Sequence, residues 1–209
     1  MNLYKLSNKK HAIVYFHRDI LYEVVEKLHL PHRILDDAVG CFKYVLFKSD
    51  EIAKKPSQQK QMAFACLCYA VKYNQLGVRI KDITWLCGPQ DEKAIRSMYE
   101  TVCNIYGNND QFKPEWFIEK YCKNLDLPFE AEKIAHQILR NFKIAELFEE
   151  NEAYTVATLA VFLTVFLLEK DMQISNEYRK PVVKTLSDIT GTSVITLKNL
   201  YNKCKQNLN

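Results

Sequence analysis

The 209-residue sequence predicts an all-α protein built from two tandem helical repeats, and three observations carry that prediction. Five glycines and six prolines are few for this length, which disfavours the turn-rich strands of a sandwich or barrel and favours long uninterrupted helices. Leu28-His29-Leu30-Pro31 recurs 97 residues later as Leu125-Asp126-Leu127-Pro128. Midway lies a polar run, Gly107-Asn108-Asn109-Asp110-Gln111-Phe112-Lys113-Pro114, with turn chemistry and no apolar period. A hydrophobic content of 48% is enough to give each half a buried core.

Residues 1–17 read as a lead-in: basic, and without the apolar stretch and small-residue cleavage site of a secretory signal. Each Leu-x-Leu-Pro then opens a helix, where the missing proline N–H is no loss, and each helix carries an alanine seven residues on, Ala38 or Ala135. A second parallel comes next, Gln61 to Tyr73 against Thr155 to Leu167, both continuously apolar around closely spaced alanines. A helix apolar on all sides is one surrounded by other helices. The most membrane-like stretch, Val156 to Leu168, contains Thr158 and Thr164 and falls short of the roughly 18 apolar residues a span requires, so it reads as a buried central helix. Each repeat closes with a helix, a glycine and another helix: Ile80 to Leu86, Gly88, Glu92 to Val102; and Pro181 to Ile189, Gly191, Val194 to Cys204. The repeats therefore span 18–107 and 112–207. The competing reading is one irregular bundle in which the Leu-x-Leu-Pro match is chance.

Charge is concentrated at the end of the chain. From Tyr178 onward Arg179, Lys180, Lys184, Lys198, Lys203 and Lys205 face only Asp188, a net +5 in a chain whose total is +4. Clustered lysines neutralise phosphates and release counterions. A solvated basic tail would look similar, but this segment also has a helix-turn-helix pattern, with Thr190-Gly191-Thr192 as the turn and Ser193 as the cap of the second helix. Leu197, Leu200, Tyr201 and Cys204 share the face that packs inward. Ile195, Lys198, Asn202 and Lys205 are left on the outer face, where Ile195 is placed to meet a thymine methyl and Lys198 a guanine edge or a phosphate. With Ser193, Thr196 and Lys184 these form the expected DNA-binding set.

Other constellations are structural. Asp36-Asp37 and Glu149-Glu150-Asn151-Glu152 read as first-turn carboxylates that favour a helix dipole. Cys41, Cys66, Cys87 and Cys103 lie among apolar residues, and seven cysteines are an odd number for disulfide pairing. There is no Cys-x-x-Cys, and His11, His17, His29, His32 and His136 show no ligand spacing, so neither zinc nor any other metal is expected. No nucleophile motif or phosphate-cradling glycine loop appears, so no catalytic residue, cofactor or small-molecule substrate is expected.

Two repeats of this helix order, each with a central alanine-rich helix, resemble the cyclin fold, and the wording of the motifs is similar to the core of transcription factor IIB. The second repeat carries it. Phe117 to Pro128, with Tyr121-Cys122-Lys123-Asn124-Leu125-Asp126-Leu127-Pro128, resembles that family's aromatic-cysteine-x-asparagine-leucine-x-leucine-proline opening. Asp188-Ile189-Thr190-Gly191, Ile195-Thr196-Leu197-Lys198 and Tyr201 resemble its isoleucine-alanine-glycine, valine-threonine-isoleucine-arginine, tyrosine close. In the first repeat Ala65-Cys66-Leu67-Cys68-Tyr69-Ala70 and Gly77-Val78-Arg79 are also similar. The resemblance runs from about residue 20 to the end. It implies two cyclin-like five-helix repeats, promoter DNA, TATA-binding protein and RNA polymerase as partners, no membrane role, and a nuclear location, or a cytoplasmic viral factory for a viral chain. It places Ile195 and Lys198 at the family's base-contacting valine and arginine. Lysine lacks the guanidinium fork, which implies weaker sequence specificity. It makes Arg79 and Lys81 phosphate contacts of the first repeat, whose closing helix presents Lys93 and Arg96, among Asp91, Glu92 and Glu100, to a protein partner. The family's zinc ribbon and reader segment have no counterpart in these residues.

Two other classes stay open. A cyclin that activates a kinase would share Ala70-Val71-Lys72-Tyr73, although kinase activation gives no reason for the basic closing helix pair. An enzyme of unrecognised chemistry would need a convergent polar constellation that the sequence does not show.

Overall fold

The computed structural model describes residues 3–49, 51–52, 55–106, 112–141, 152–172 and 176–206. The described residues are helical, without strands, and fall into two compact units, Met1–Gln111 and Phe112–Asn209. The first unit contains α1 (Leu3–Lys27), α2 (His32–Lys48), α3 (Pro56–Tyr73), α4 (Ile80–Cys87), a 3-10 turn (Pro89–Asp91) and α5 (Glu92–Tyr106). The second contains α6 (Glu115–Asn124), α7 (Phe129–Asn141), α8 (Ala153–Met172), α9 (Asn176–Thr190) and α10 (Val194–Gln206). Most of the polar boundary, 107–111, and most of the acidic run 149–152 lie outside the described residues.

Both units are built around one helix. In the first, α3 touches α1, α2, α4 and α5, and in the second α8 touches α6, α7, α9 and α10. The sequence dictates this, because Ala63, Ala65, Cys66, Cys68 and Ala70 in α3, and Ala157 and Ala160 in α8, let neighbours approach from every side. Two of the three threonines of α8 are buried without penalty: Thr158 Oγ1 donates to the Tyr154 carbonyl at 2.6 Å and Thr164 Oγ1 to that of Ala160 at 2.9 Å. Among the described residues no helix is long and apolar enough to cross a membrane.

The two Leu-x-Leu-Pro segments fold into the same turn. His29 and Asp126 take left-handed backbone angles, φ 50° and 52°. Leu30 N–H donates to the Val25 carbonyl at 2.9 Å, and Leu127 N–H to that of Cys122 at 3.0 Å. His29 N–H closes on Glu26 at 3.0 Å and Asp126 N–H on Lys123 at 3.1 Å, so α1 and α6 end in one hydrogen-bond ring. Gln75 (φ 56°) ends α3 in the same way. Pro31 then stands one residue ahead of α2, and its carbonyl accepts from Ile34 N–H at 2.9 Å, as that of Pro128 does from Ala131.

The structure differs from the sequence reading in three details. No break separates residues 1–17 from residue 18 onward: with no glycine or proline to stop it, α1 runs unbroken through residue 17, and Val14 and His17 are buried against the first core. Lys10 is buried there too, its Nζ 3.4 Å from the Phe47 carbonyl oxygen and 5.5 Å from the Phe47 ring centroid. Asp36 and Asp37 fall in the second turn of α2 rather than the first, since that helix starts at His32; Asp37 instead accepts a 2.8 Å hydrogen bond from Asn74 Nδ2. Finally, α9 begins at Asn176, ahead of Pro181.

Candidate nucleic-acid interface

The closing helix pair of the second unit is set by its turn. Gly191 sits at φ 64°, a left-handed position that glycine occupies without the clash a Cβ brings, and its N–H donates to the Ser187 carbonyl at 2.8 Å to end α9. Thr190 and Thr192 are buried, with Thr192 N–H on Thr190 Oγ1 at 3.2 Å. Ser193 caps α10 as its sequence position implies: Thr196 N–H donates to Ser193 Oγ at 3.0 Å, and the two hydroxyls lie 2.8 Å apart. Thr196 is therefore turned toward the cap, half-buried.

One face of α10 holds it to the unit. Leu197 and Leu200 are buried together with Leu186 of α9, and the Tyr201 ring stacks on Phe166 of α8 at 5.8 Å, its edge toward Phe162. The opposite face is open. Ile195 is 72% exposed, and Lys198, Asn202 and, on α9, Lys184 are exposed with it. Asn199, outside the set expected from the sequence, is exposed one turn beyond Ile195; its signal is the i+4 spacing. The Lys205, Arg179, Lys180 and Cys204 side chains lie outside the described residues. An exposed isoleucine in the first turn, followed by lysine and two asparagines, suits a helix that reads a groove: an apolar contact, a cation and amide groups on one surface, with backbone N–H groups at its N-terminus.

The first unit closes differently. Gly88 has φ 137°, and a Cβ there would come within 2.9 Å of Gln90 Nε2. Its turn is tied back to α3, with Lys60 Nζ donating to the Cys87 carbonyl at 2.8 Å and Gln61 Nε2 to Asp91 Oδ1 at 2.8 Å. Arg79 is engaged by its own helix: Nε lies 3.0 Å from Asp82 Oδ2, and the guanidinium also bonds Oδ1. Arg96 is held by Glu92 at 3.0 Å. Lys81 and Lys93 are exposed. Thus, of the four cations expected to meet DNA or a partner in this unit, two are in ion pairs.

Among the described residues no three His, Cys, Asp or Glu side chains are grouped to hold a metal ion. Burial pushes the Cys87 and Cys122 thiols up to about 11, and that of Cys68 further still, whereas Cys41 is lowered by its hydrogen bond with Cys66.

The described residues are thus all helical and form two five-helix units, the second ending in two helices joined by a capped turn, with an open polar and apolar face. No protein-family model matches it. In sequence it is similar to transcription initiation factor IIB: 23% identical over 181 residues to that of Dictyostelium discoideum, covering 85% of this chain and 52% of the relative. It is 23% identical over 178 residues to the Drosophila melanogaster factor, 85% of this chain and 53% of the relative, and over 184 residues to the human one, 85% and 52%. The chain spans about half the length of the curated relatives it matches. The similarity supports a transcription factor IIB-like core.

Proposed function

We propose that the protein is a general transcription initiation factor of the transcription factor IIB type, acting in the nucleus without catalytic turnover. In this reading the two units are cyclin-like repeats that engage TATA-binding protein on promoter DNA and bridge it to RNA polymerase. The α10 helix lies in the major groove. Ile195 meets a thymine methyl, Lys198 a guanine edge or a phosphate, Asn202 and Lys205 extend the contact, and Ser193, Thr196 and Lys184 flank it. Lys81 meets phosphate from the first unit; Arg79 does so only by exchanging Asp82 for it. Lys93 and Arg96 face the polymerase side.

The observation that carries the reading is Ile195, 72% exposed beside Lys198 on a helix whose other face packs Leu197, Leu200 and Tyr201 against the unit. A surface isoleucine gains nothing from folding, whereas a groove-reading helix has a use for it. The relatives named transcription initiation factor IIB favour this over a kinase-activating cyclin. The test is a gel shift with TATA-binding protein and promoter DNA, with and without this protein, across salt concentrations. Contacts to about four phosphates give a slope of log K against log salt of about −4. A supershift that is absent, or indifferent to salt, refutes the proposal.

A further inference from the structure

The outer face of α10 divides into a midline and two margins, and these carry different chemistry. At about 3.6 residues per turn, Ile195, Asn199 and Asn202 run along the line opposite buried Leu197 and Leu200, while Lys198 stands to one side of it and Lys203 to the other. Ile195 is 72% exposed, and Asn199 and Asn202 are exposed with it. Neither amide is hydrogen-bonded to another described residue. The helix carries no acidic residue and no arginine.

A helix seated in the major groove turns its midline to the base edges and its margins to the phosphate walls. The midline residues are the ones that read sequence, and their types name the bases. A branched aliphatic tip has one apolar target in that groove, the thymine methyl. An asparagine amide matches adenine, whose N6 amino group donates to Oδ1 while Nδ2 donates to N7. Guanine is read by arginine or lysine, but the helix has no arginine and Lys198 lies off the midline, placed for a phosphate. From Ile195 to Asn202 the helix rises roughly 10 Å, about three base-pair steps. We infer that, given the major-groove seating of α10 proposed above, this helix selects a short element of A·T pairs. Ile195 meets a thymine methyl, Asn199 and Asn202 pair with adenines, and Lys198 adds affinity without sequence preference.

The test is selection from duplexes in which both flanks of a TATA box are randomised, bound by TATA-binding protein with and without the full chain, and sequenced. The expected result is enrichment, on one flank and only with this chain present, of a word made of A·T pairs. Asn199→Ala lowers the preference for adenine at one position by about tenfold, and Ile195→Ala lowers that for thymine at another by a smaller factor. In gel shifts Lys198→Ala weakens all sequences alike and reduces the salt slope by about one, leaving the word unchanged. Thermal melts of the three variants show no loss, because all three side chains are exposed. A word of G·C pairs, no word at all, or an A·T word that Asn199→Ala leaves intact overturns the inference; the proposed function stands as long as the complex forms. Failure to form a complex on any sequence removes the proposed function itself.

Discussion

The α4–α5 and α9–α10 pairs have the same plan, helix, glycine, helix, and differ in what their side chains are tied to. In the first unit the turn is bound to the central helix through Lys60 and Gln61, and Arg79 and Arg96 are neutralised by acids one turn away. In the second the turn is closed by its own backbone and threonines, and the outer face of α10 keeps Lys198 and Ile195 exposed. A shared scaffold thus yields one pair fastened inward and one turned outward. Which of the two can receive a ligand is decided by a few neighbours and not by topology.

The sharpest break between the two faces of α10 is in stability. Leu197→Ala removes a fully buried side chain and is expected to cost about 2 to 5 kcal/mol in urea unfolding, whereas Ile195→Ala stays within about 0.5 kcal/mol. Equal losses would mean that Ile195 is part of the core. Next comes binding. Lys198→Glu is expected to weaken the promoter complex by about 1 to 3 kcal/mol, with Lys93→Glu in the first unit having little effect on DNA affinity in the same gel shift. Reversal of that order would move the DNA contact to the first unit. Gln61→Ala, which frees Asp91, is expected to lower the stability of the first unit by about 1 kcal/mol in chemical denaturation and to leave DNA affinity alone.

The smallest effect concerns pH. Burial lowers the pKa of His17 from its ordinary value, with the hydrogen bond to the Ile13 carbonyl opposing, so the folded state favours the neutral ring. The unfolded chain then binds the proton first. The stability that His17 contributes is complete above about pH 6.5 and declines as pH falls below it. His17→Phe should flatten that decline in thermal melts between about pH 7 and 5; an unchanged slope would assign it to another group.

Much of this was legible in the residues. The Leu-x-Leu-Pro recurrence marked the starts of α2 and α7, and the apolar runs from Gln61 and Thr155 marked α3 and α8, because a helix with no polar stripe has only one place to go. The split of α10 into Leu197 and Leu200 against Ile195 and Lys198 followed from its period. What was hidden depends on geometry rather than pattern. Whether Arg79 reaches Asp82 or solvent is a rotamer choice, and an i,i+3 spacing permits either. The basic character of residues 1–17 concealed α1, whose Lys10 and His17 are buried by packing against α2, which no local window contains.

The rings that end α1, α3 and α6 are made from backbone alone, around His29, Gln75 and Asp126. Three chemically unlike side chains serve one joint, so the joint places almost no demand on residue identity beyond tolerance of a left-handed angle. Sequence at these corners is free to drift while the path of the chain is kept. Corners built this way can differ in wording and still turn the chain along one course.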